Sequence, residues 1–538
     1  MMILDNILRH FSSSSCYFLP SRLSSRPIKP MTTRLLSPFR AHILYHVFTS
    51  FLGYIALIST SLRLSPATTR LGSLDAAFMS ISAVTSSSMS TVEMEIFTNT
   101  QLILFTILMF LGGEVFTSML GLLLQTNLEA SAPAATVAGG INTTAPMSPD
   151  SNNLSALAEL GFVPTTHIKP NCDHNDNLSF SKLTAVKTLA YLVLGYLSVI
   201  HFCGSLFIYL YITTVPSAAN ILKSKSILPT TFSLFLTSSS FANCGFVPTN
   251  ENMAIFKTNS FFLLLVIPQV LMGNTFYPIC IRILIRVMEL ITKNSLYTYI
   301  LTTNSAGYNH LLSSAATWWL GWTGLGLLVS QVVMLVAMDW GGSEAFAGMS
   351  WFERLVACLF QSVSSRHSGE SVFDLSTLST AVVVLFILMM YFPPYLIWMP
   401  DESDNDQAEE ELRRSIESDR DNKNKKLRME NFIFSDLSYL AMFVIFISIT
   451  ERKSLKTDPL NFNVLSIVLE VISAYGNVGF SMGYSCKRRI EVDTSCVDKT
   501  YGFAGRWSSK GKLILIAVMI FGKFKRFNHK GGKAWITL

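Results

Sequence analysis

Long apolar stretches alternate with shorter, serine-rich ones along most of the chain. Five of the long stretches contain no charged residue: 41–62, 188–222, 258–281, 311–338 and 375–400. Three more are apolar but carry Glu114, Asp436 and Lys523 respectively: 101–125, 432–450 and 511–527. A helix of about 20 apolar residues spans the hydrocarbon core of a bilayer. The pattern therefore predicts eight transmembrane helices.

The eight predicted helices form four successive pairs, and a shorter run lies between the two helices of each pair. These four runs are rich in Ser and Phe, and they cover 74–90, 228–245, 352–369 and 462–479. Each is too short and too polar to span a bilayer. Non-helical backbone at membrane depth is tolerated only where it is buried in protein or lines a water-filled cavity. We interpret the four runs as re-entrant segments, and a pore is the simplest cavity that would accommodate them.

Composition supports this interpretation. Half of the 538 residues are hydrophobic and only 14% are charged, against roughly 25% charged residues in a soluble domain. The net charge of +6 is modest for this length, which argues against a nucleic-acid-binding protein. The eight cysteines are scattered, and only Cys486 and Cys496 are close enough in a polar stretch to suggest a disulfide.

Lys and Arg near membrane segments predict the orientation, because cytoplasmic loops are enriched in them. The N-terminal tail holds six basic residues against Asp5 alone, and the C-terminal end is also basic. Both termini are therefore expected in the cytoplasm, although the basic loop before the last crossing departs from the rule. The Ser- and Arg-rich start also resembles an organellar transit peptide, which leaves processing of the tail open.

The four re-entrant runs align without gaps. The aligned segments are FMSISAVTSSSM (78–89), FLTSSSFANCGF (235–246), LFQSVSSRHSGE (359–370) and LEVISAYGNVGF (469–480). One column holds Gly245, Gly369 and Gly479, and Ser88 replaces the glycine in the first segment. Glycine permits the dihedrals and the close backbone approach that a ring of carbonyl oxygens around a cation requires. A glycine that merely helps helices to pack is the alternative, but four segments in register favour a filter.

The alignment predicts an all-α polytopic membrane protein with eight transmembrane helices, arranged as four helix–pore loop–helix repeats around one central pore. The repeats are 41–125, 186–288, 313–400 and 432–538, the last including the C-terminal tail. The segments outside them are a cytoplasmic tail over 1–40 and cytoplasmic linkers over 126–185, 289–312 and 401–431, of which 401–431 is highly charged.

Several motifs resemble those of a known family. TSSSMSTVEME (85–95), FANCGFVPTNENM (241–253), SRHSGE (365–370), YGNVGFSMGYSC (475–486) and FNHKGGKAW (527–535) are similar to segments of the plant HKT cation transporters of the Trk/Ktr/HKT superfamily. The resemblance covers the chain from about residue 40 to its end. It implies a single-chain pore that carries sodium or potassium across the plasma membrane.

The resemblance also suggests which ion passes. A Ser at the first filter position is typical of the sodium-selective subfamily I, and Gly is typical of members that also carry potassium, so Ser88 implies sodium selectivity. The expected sodium site is formed by backbone carbonyls around Ser88, Gly245, Gly369 and Gly479. The residues expected beside it are Ser87, Asn243, Cys244, Ser368, Asn477 and Val478.

Three charges near the predicted pore are candidate functional groups. Glu95 and Glu370 follow filter segments and could attract cations to the pore mouth, with ordinary solvated charge as the alternative. Lys523 lies within the last apolar helix, where a charge is a functional hypothesis by default. Related transporters place a basic residue there, usually Arg, facing the pore. The alternative is that Lys523 extends to the cytoplasmic interface.

We therefore expect a passive, channel-like sodium uniporter rather than an enzyme, because no nucleotide-binding or catalytic motif is present in the sequence. A potassium–sodium symporter of the same fold is the alternative, and a non-transporting membrane receptor is a weaker one. No cofactor is expected besides the transported Na⁺, or K⁺. The expected partners are Na⁺, the lipid bilayer and a second copy in a homodimer with one pore per chain. Family analogy suggests sodium retrieval from the xylem and salt tolerance.

Overall fold

The computed structural model describes residues 38–60, 71–131, 172–302, 308, 310–341, 344–396, 436–489 and 502–526. This part of the chain is almost entirely helical. The tail before residue 38, most of the 126–185 linker and the whole of the 401–431 linker lie outside the described residues.

Two helix groups form the first half. Each group has a first outer helix, a short helix that we call the pore helix, and a second outer helix. Repeat A contains α1 (Pro38–Ser59), pore helix α2 (Ser73–Val84), α3 (Asn99–Gly112) and α4 (Glu114–Ser131). Repeat B contains α5 (Cys172–Thr214), α6 (Pro216–Ser224), pore helix α7 (Pro229–Phe241), α8 (Ser260–Gly273) and α9 (Tyr277–Thr292).

The second half repeats the same order. A short helix, α10 (Ser295–Thr302), precedes it. Repeat C contains α11 (Ser314–Asp339), pore helix α12 (Trp351–His367) and α13 (Thr380–Tyr391). Repeat D contains α14 (Asp436–Thr450), α15 (Arg452–Thr457), pore helix α16 (Val464–Gly476) and α17 (Ser509–Arg526). The four-repeat, helix–pore helix–helix architecture predicted from the sequence is confirmed.

The outer helices differ in how well each alone would cross a bilayer. By length and composition, α1, α5 and α11 qualify as spans within the described residues. Two further spans arise if bent pairs are counted as one each: α3 with α4, bent by 56°, and α8 with α9, bent by 83°. The remaining outer helices, α13, α14 and α17, are shorter or carry lysines, so they depend more on packing inside the bundle.

The pore helices connect the repeats into a ring. Each packs against outer helices of its own repeat and against the second outer helix of the preceding one: α2 on α17, α7 on α3, α12 on α8 and α16 on α13. The contact of α2 with α17 joins the first repeat to the last. The ring is therefore closed by packing at a seam that no covalent linker crosses.

Local sequence signals start the pore helices. Pro229 lies in the first turn of α7, where its missing N–H costs no hydrogen bond. Ser350 caps α12 through a capping box with Glu353, and the side chain of Asn463 caps α16. These signals fix where each helix begins, so that its carboxyl end reaches the filter.

Small residues let the second outer helices approach the ends of the pore helices. A Cβ atom added to any of three glycines would collide with a backbone carbonyl at the end of the pore helix in the same repeat. The pairs are Gly112 with Val84, Gly273 with Phe241, and Gly522 with Tyr475. The three carbonyl residues occupy the same column of the repeat alignment, so the repeat extends into the outer helices.

One predicted boundary differs from the structure, and one predicted linker is partly packed. Helix α5 begins at Cys172, within the segment predicted as the 126–185 linker, because its first turns are polar and lack the apolar signal of a span. Part of the predicted linker 289–312 is packed against the helices. Tyr308 and His310 in it are buried, and the phenol of Tyr308 contacts Tyr277 and lies 3.1 Å from the Ser118 hydroxyl.

Candidate functional site: the filter and its two mouths

The four predicted filter residues share an uncommon backbone conformation. Their φ angles are 43° at Ser88, 84° at Gly245, 74° at Gly369 and 100° at Gly479. Glycine adopts positive φ at little cost, whereas a serine there is strained. The structure therefore gives all four repeats one filter geometry, and repeat A adopts it with a side chain present.

The filter positions lie against one another. A Cβ atom at Gly245 would collide with the Ser368 carbonyl, and one at Gly369 would collide with the Val478 carbonyl. A Cβ atom at Gly479 would overlap the hydroxyl of Ser88. Glycine is thus required at these three positions by close approach as well as by φ, and the four segments converge on one axis.

Ser88 makes the ring unequal. Its hydroxyl donates to the carbonyl oxygen of Val478 at 3.3 Å, and its side chain occupies the space beside Gly479. A carbonyl oxygen that accepts a hydrogen bond is less available to coordinate a cation. The serine therefore engages one backbone carbonyl beside the predicted filter and fills the space next to Gly479.

The residues predicted beside the filter are buried and support it from behind. Asn477 donates to Ser87 Oγ at 2.7 Å and to the Met519 carbonyl at 3.1 Å. Asn243 and Asn477 both have positive φ, a conformation that Asn tolerates better than most residues, and they turn the chain at the ends of their pore helices. The other predicted neighbours are also buried: Cys244, Ser368 and Val478.

A vestibule of about 400 Å³ opens onto all four filter positions. Its wall combines backbone of the filter segments with polar side chains of the outer loops, among them Asn250, Glu251, Asp374 and Arg488. A hydrated cation could enter this space and exchange water for filter carbonyls. The vestibule is thus one entrance of the predicted pathway.

Glu370 was predicted to be a charge at the pore mouth, and this prediction is wrong. Its side chain is fully buried, and the Ser240 hydroxyl of pore helix α7 donates to it at 2.5 Å. The sequence suggested a mouth charge because Glu370 directly follows Gly369, but only Gly369 lines the vestibule. Glu370 instead connects the filter segment of repeat C to the pore helix of repeat B.

Glu95 lies next to Asn250 of the vestibule wall, and its charge is paired. The ammonium of Lys225 contacts the Glu95 carboxylate and that of Glu251, the latter at 2.6 Å. Burial opposes the charged form of Lys225, but hydrogen bonds and charges of Glu251 and Glu95 outweigh it and raise the pKa above its usual value. Lys225 therefore stays charged and compensates acidic charge beside the vestibule.

Neutralising that lysine is expected to increase cation entry. In Lys225→Gln the carboxylates of Glu95 and Glu251 lose their counter-ion, so the sodium concentration for half-maximal current should fall several-fold at low ionic strength. The effect should shrink at high ionic strength, where exposed charges are screened. Lys257→Gln, on the same outer side, is the control and should leave that concentration unchanged. Equal half-maximal concentrations for Lys225→Gln and the unmodified chain would contradict the prediction.

Lys523 lies inside the protein rather than at the cytoplasmic interface. It is 5% exposed, and its ammonium donates at 3.0 Å to the carbonyl of Gly112, at the break between α3 and α4. Gly112 in turn lies against the end of pore helix α2. The positive charge is thus held just beyond a pore-helix terminus, and the snorkelling alternative does not describe it.

Removing this charge is expected to enlarge the cation current. In Lys523→Gln the amide can still donate to Gly112, but the repulsion of a nearby cation is gone, so current at a given voltage should rise several-fold with selectivity unchanged. Lys525→Gln is a matched control because Lys525 pairs with Asp436 on a neighbouring helix. Unaltered current in Lys523→Gln at equal surface expression would show that Lys523 lies outside the ion path.

Two further residues near the site are a buried glutamate on a pore helix and a disulfide-bonded cysteine. Glu470 on pore helix α16 is fully buried, and the Ser481 hydroxyl donates to it; sequence reasoning missed it because an isolated acid on an apolar helix gives no pairing signal. Cys486 is disulfide-bonded, in keeping with the predicted bridge, but the predicted partner Cys496 lies outside the described residues.

The chain is similar to known cation transporters. The family model described as TrkH, cation transport protein, matches residues 171–528. The Sodium transporter HKT1 of Arabidopsis thaliana is 48% identical over 87% of this chain and 90% of its own length. The Cation transporter HKT1;3 of Oryza sativa subsp. japonica is 44% identical over 93% of this chain and 91% of its own.

More distant proteins also match. The Cation transporter HKT2;4 of Oryza sativa subsp. japonica is 34% identical over 91% of this chain and 92% of its own length. A crystal structure of the potassium transporter TrkH from Vibrio parahaemolyticus is 14% identical, with a TM-score of 0.48 over 96% of this chain and 87% of that one.

Proposed function

Because the chain belongs to the TrkH family of cation transport proteins, among the plant HKT transporters, we propose that it is a sodium-selective passive transporter. It is a multi-pass membrane protein, and the family consists of transporters rather than enzymes. In the proposed mechanism a sodium ion enters the vestibule and loses part of its hydration shell to filter carbonyls. It then passes Lys523 and leaves on the other side, driven by its own electrochemical gradient.

The observation that carries the proposal is the side chain at the first filter position. Ser88 donates to the Val478 carbonyl and fills the space beside Gly479. One carbonyl is thus engaged by a side chain, and space on one side of the filter is filled; the size of the site and the number of coordinating carbonyls are the two properties on which filter selectivity depends. A relative with 48% identity carries the name of a sodium transporter, which supports the same assignment.

Passive transport can be tested with the full chain in proteoliposomes. A membrane potential, negative inside, is imposed in the absence of ATP, and uptake of radioactive sodium is followed. We expect uptake to increase with the imposed potential and to fall to the level set by the sodium concentration gradient alone when the potential is collapsed. Uptake that requires ATP, or that ignores the potential, would contradict a passive pathway.

A potassium–sodium symporter of the same fold is the alternative that the sequence leaves open; a more distant relative is named a potassium transporter. The two mechanisms differ in coupling. In the proteoliposome assay a uniporter takes up sodium at the same rate with or without external potassium, at a fixed potential. A symporter requires potassium on the same side, so sodium uptake that depends on potassium would favour it.

We further propose that the protein is located in the plasma membrane with both termini in the cytoplasm. The basic residues at both ends of the chain support this orientation. Three glycosylation sequons lie in the segment 126–185, at Asn142, Asn153 and Asn177, and in this topology they stay unmodified. Glycan found on any of these asparagines in a eukaryotic expression host would contradict the proposed orientation and indicate the opposite one.

The proposed physiological role is retrieval of sodium from the xylem, with leaf protection under salt stress. It follows from the likeness to plant HKT transporters, as does the proposed homodimer with one pore per chain. Expression of the chain in root vascular cells of a sodium-sensitive plant should lower shoot sodium. Expression of the Gly479→Ala variant, expected to be inactive, is the control.

A further inference from the structure

A cavity of about 340 Å³ lies at the seam where repeat A meets repeat D. It is bounded by α1, by pore helix α2 and by α17, and its wall is mainly apolar. His46, Phe51, Ala77 and Ile520 contribute to this wall. The cavity is separate from the vestibule, and it shares no lining residue with it.

The cavity opens through the surface that faces the bilayer. Val47 and Phe51 line it, and both belong to the outward face of α1, where their exposed fractions are 52% and 56%. Helix α1 is one of the helices long and apolar enough to span a membrane. The medium next to the opening is therefore lipid hydrocarbon, and the cavity continues the lipid interface inward.

An apolar space of this size is large enough to hold part of a hydrocarbon chain. It has roughly twice the volume of an engineered apolar cavity of about 150 Å³ that stays dry and takes up benzene. Water gains few hydrogen bonds in such a space, and empty walls lose dispersion contacts. A hydrocarbon chain that is already next to the opening would restore those contacts without dehydrating a polar group.

We propose that this seam cavity binds one acyl chain of a membrane lipid. The inner end of the cavity reaches Thr85, whose hydroxyl shares a hydrogen bond of 2.7 Å with that of Ser87. Ser87 directly precedes the filter residue Ser88. A bound chain therefore contacts the back of the filter segment of repeat A, at the seam that only packing closes.

Photolabelling of the full chain in liposomes tests the site independently of ion selectivity. The probe is a phosphatidylcholine with a diazirine at the end of one acyl chain, and labelled residues are identified by mass spectrometry. We expect the segments 46–54, 77–85 and 520–524 to be labelled more heavily than the lipid-exposed face of α11. Labelling no greater than on that face would overturn the proposal.

Variants that fill the cavity distinguish an acyl chain bound inside it from transient contact between bulk lipid and the protein surface. Ala77→Phe should reduce labelling of the cavity walls several-fold, and Ile520→Trp, which fills it from the opposite wall, should do the same. Leu52→Phe, on the exposed face of α1, is the matched control and should leave wall labelling unchanged. Unchanged labelling of α11 verifies that each variant is folded and inserted. Wall labelling that persists in both filling variants would contradict an acyl chain inside the cavity.

Discussion

Ser88→Gly is expected to convert the proposed sodium-selective pathway into one that also carries potassium. The substitution removes the hydroxyl that donates to the Val478 carbonyl and empties the space beside Gly479. All four repeats then carry glycine at the filter position, and a larger cation finds a wider and more symmetric ring. A net hydrogen bond is worth about 1 kcal/mol, so the potassium-to-sodium permeability ratio should rise by roughly fivefold.

Ser86→Gly is the matched control for this variant. Ser86 also has positive φ, 56°, so glycine relieves the same kind of backbone strain two residues away from the filter position. In mixed sodium and potassium solutions, the reversal potential of Ser88→Gly should differ from that of the unmodified chain, and the reversal potential of Ser86→Gly should not. If Ser88→Gly remained sodium-selective, the Ser88 hydroxyl would not determine selectivity.

Gly479→Ala is expected to abolish the current. The new methyl group would overlap the Ser88 hydroxyl, and alanine is strained at φ 100°. Overpacking and backbone strain each cost roughly 1–3 kcal/mol, which is enough to distort the filter. Gly483→Ala separates the two causes, because Gly483 also has positive φ, 62°, but an added Cβ would meet no atom within 4 Å. Gly483→Ala should therefore retain most of its current.

A double variant tests the contact itself. In Ser88→Gly/Gly479→Ala the hydroxyl that blocks the methyl group is gone, and the nearest remaining atom is the Ser87 carbonyl, 2.8 Å away. Partial recovery of current is expected relative to Gly479→Ala, measured at equal surface expression. No recovery would mean that Ser88 and Gly479 do not face each other across the pathway.

The repeat architecture could be predicted because its signals are periodic. Apolar runs of bilayer length alternate with Ser-rich segments, and the four segments align in one register, so the pore helices lie within a few residues of their predicted positions. The filter column was visible for the same reason, since glycine recurs in three of its four places. The predicted helix boundaries were wrong where the apolar signal is absent, as at Cys172, where a long helix starts with polar turns.

Side-chain roles were harder to predict because sequence distance is a poor guide to orientation. Glu370 adjoins a filter glycine but faces Ser240, and Glu95 is compensated by Lys225, 130 residues away. Neither contact leaves a trace in local patterning. The glycines at 112, 273 and 522 could have been found, because each lies in a second outer helix at the level where the pore helix ends.

The central claim is sodium selectivity, and the reversal potential of the unmodified chain tests it most directly. The chain is expressed in oocytes, and two-electrode voltage clamp records the reversal potential as external sodium is exchanged for potassium at constant ionic strength. We predict a shift of about 59 mV for each tenfold change in sodium and no response to potassium. Equal responses to the two ions would contradict a sodium-selective filter.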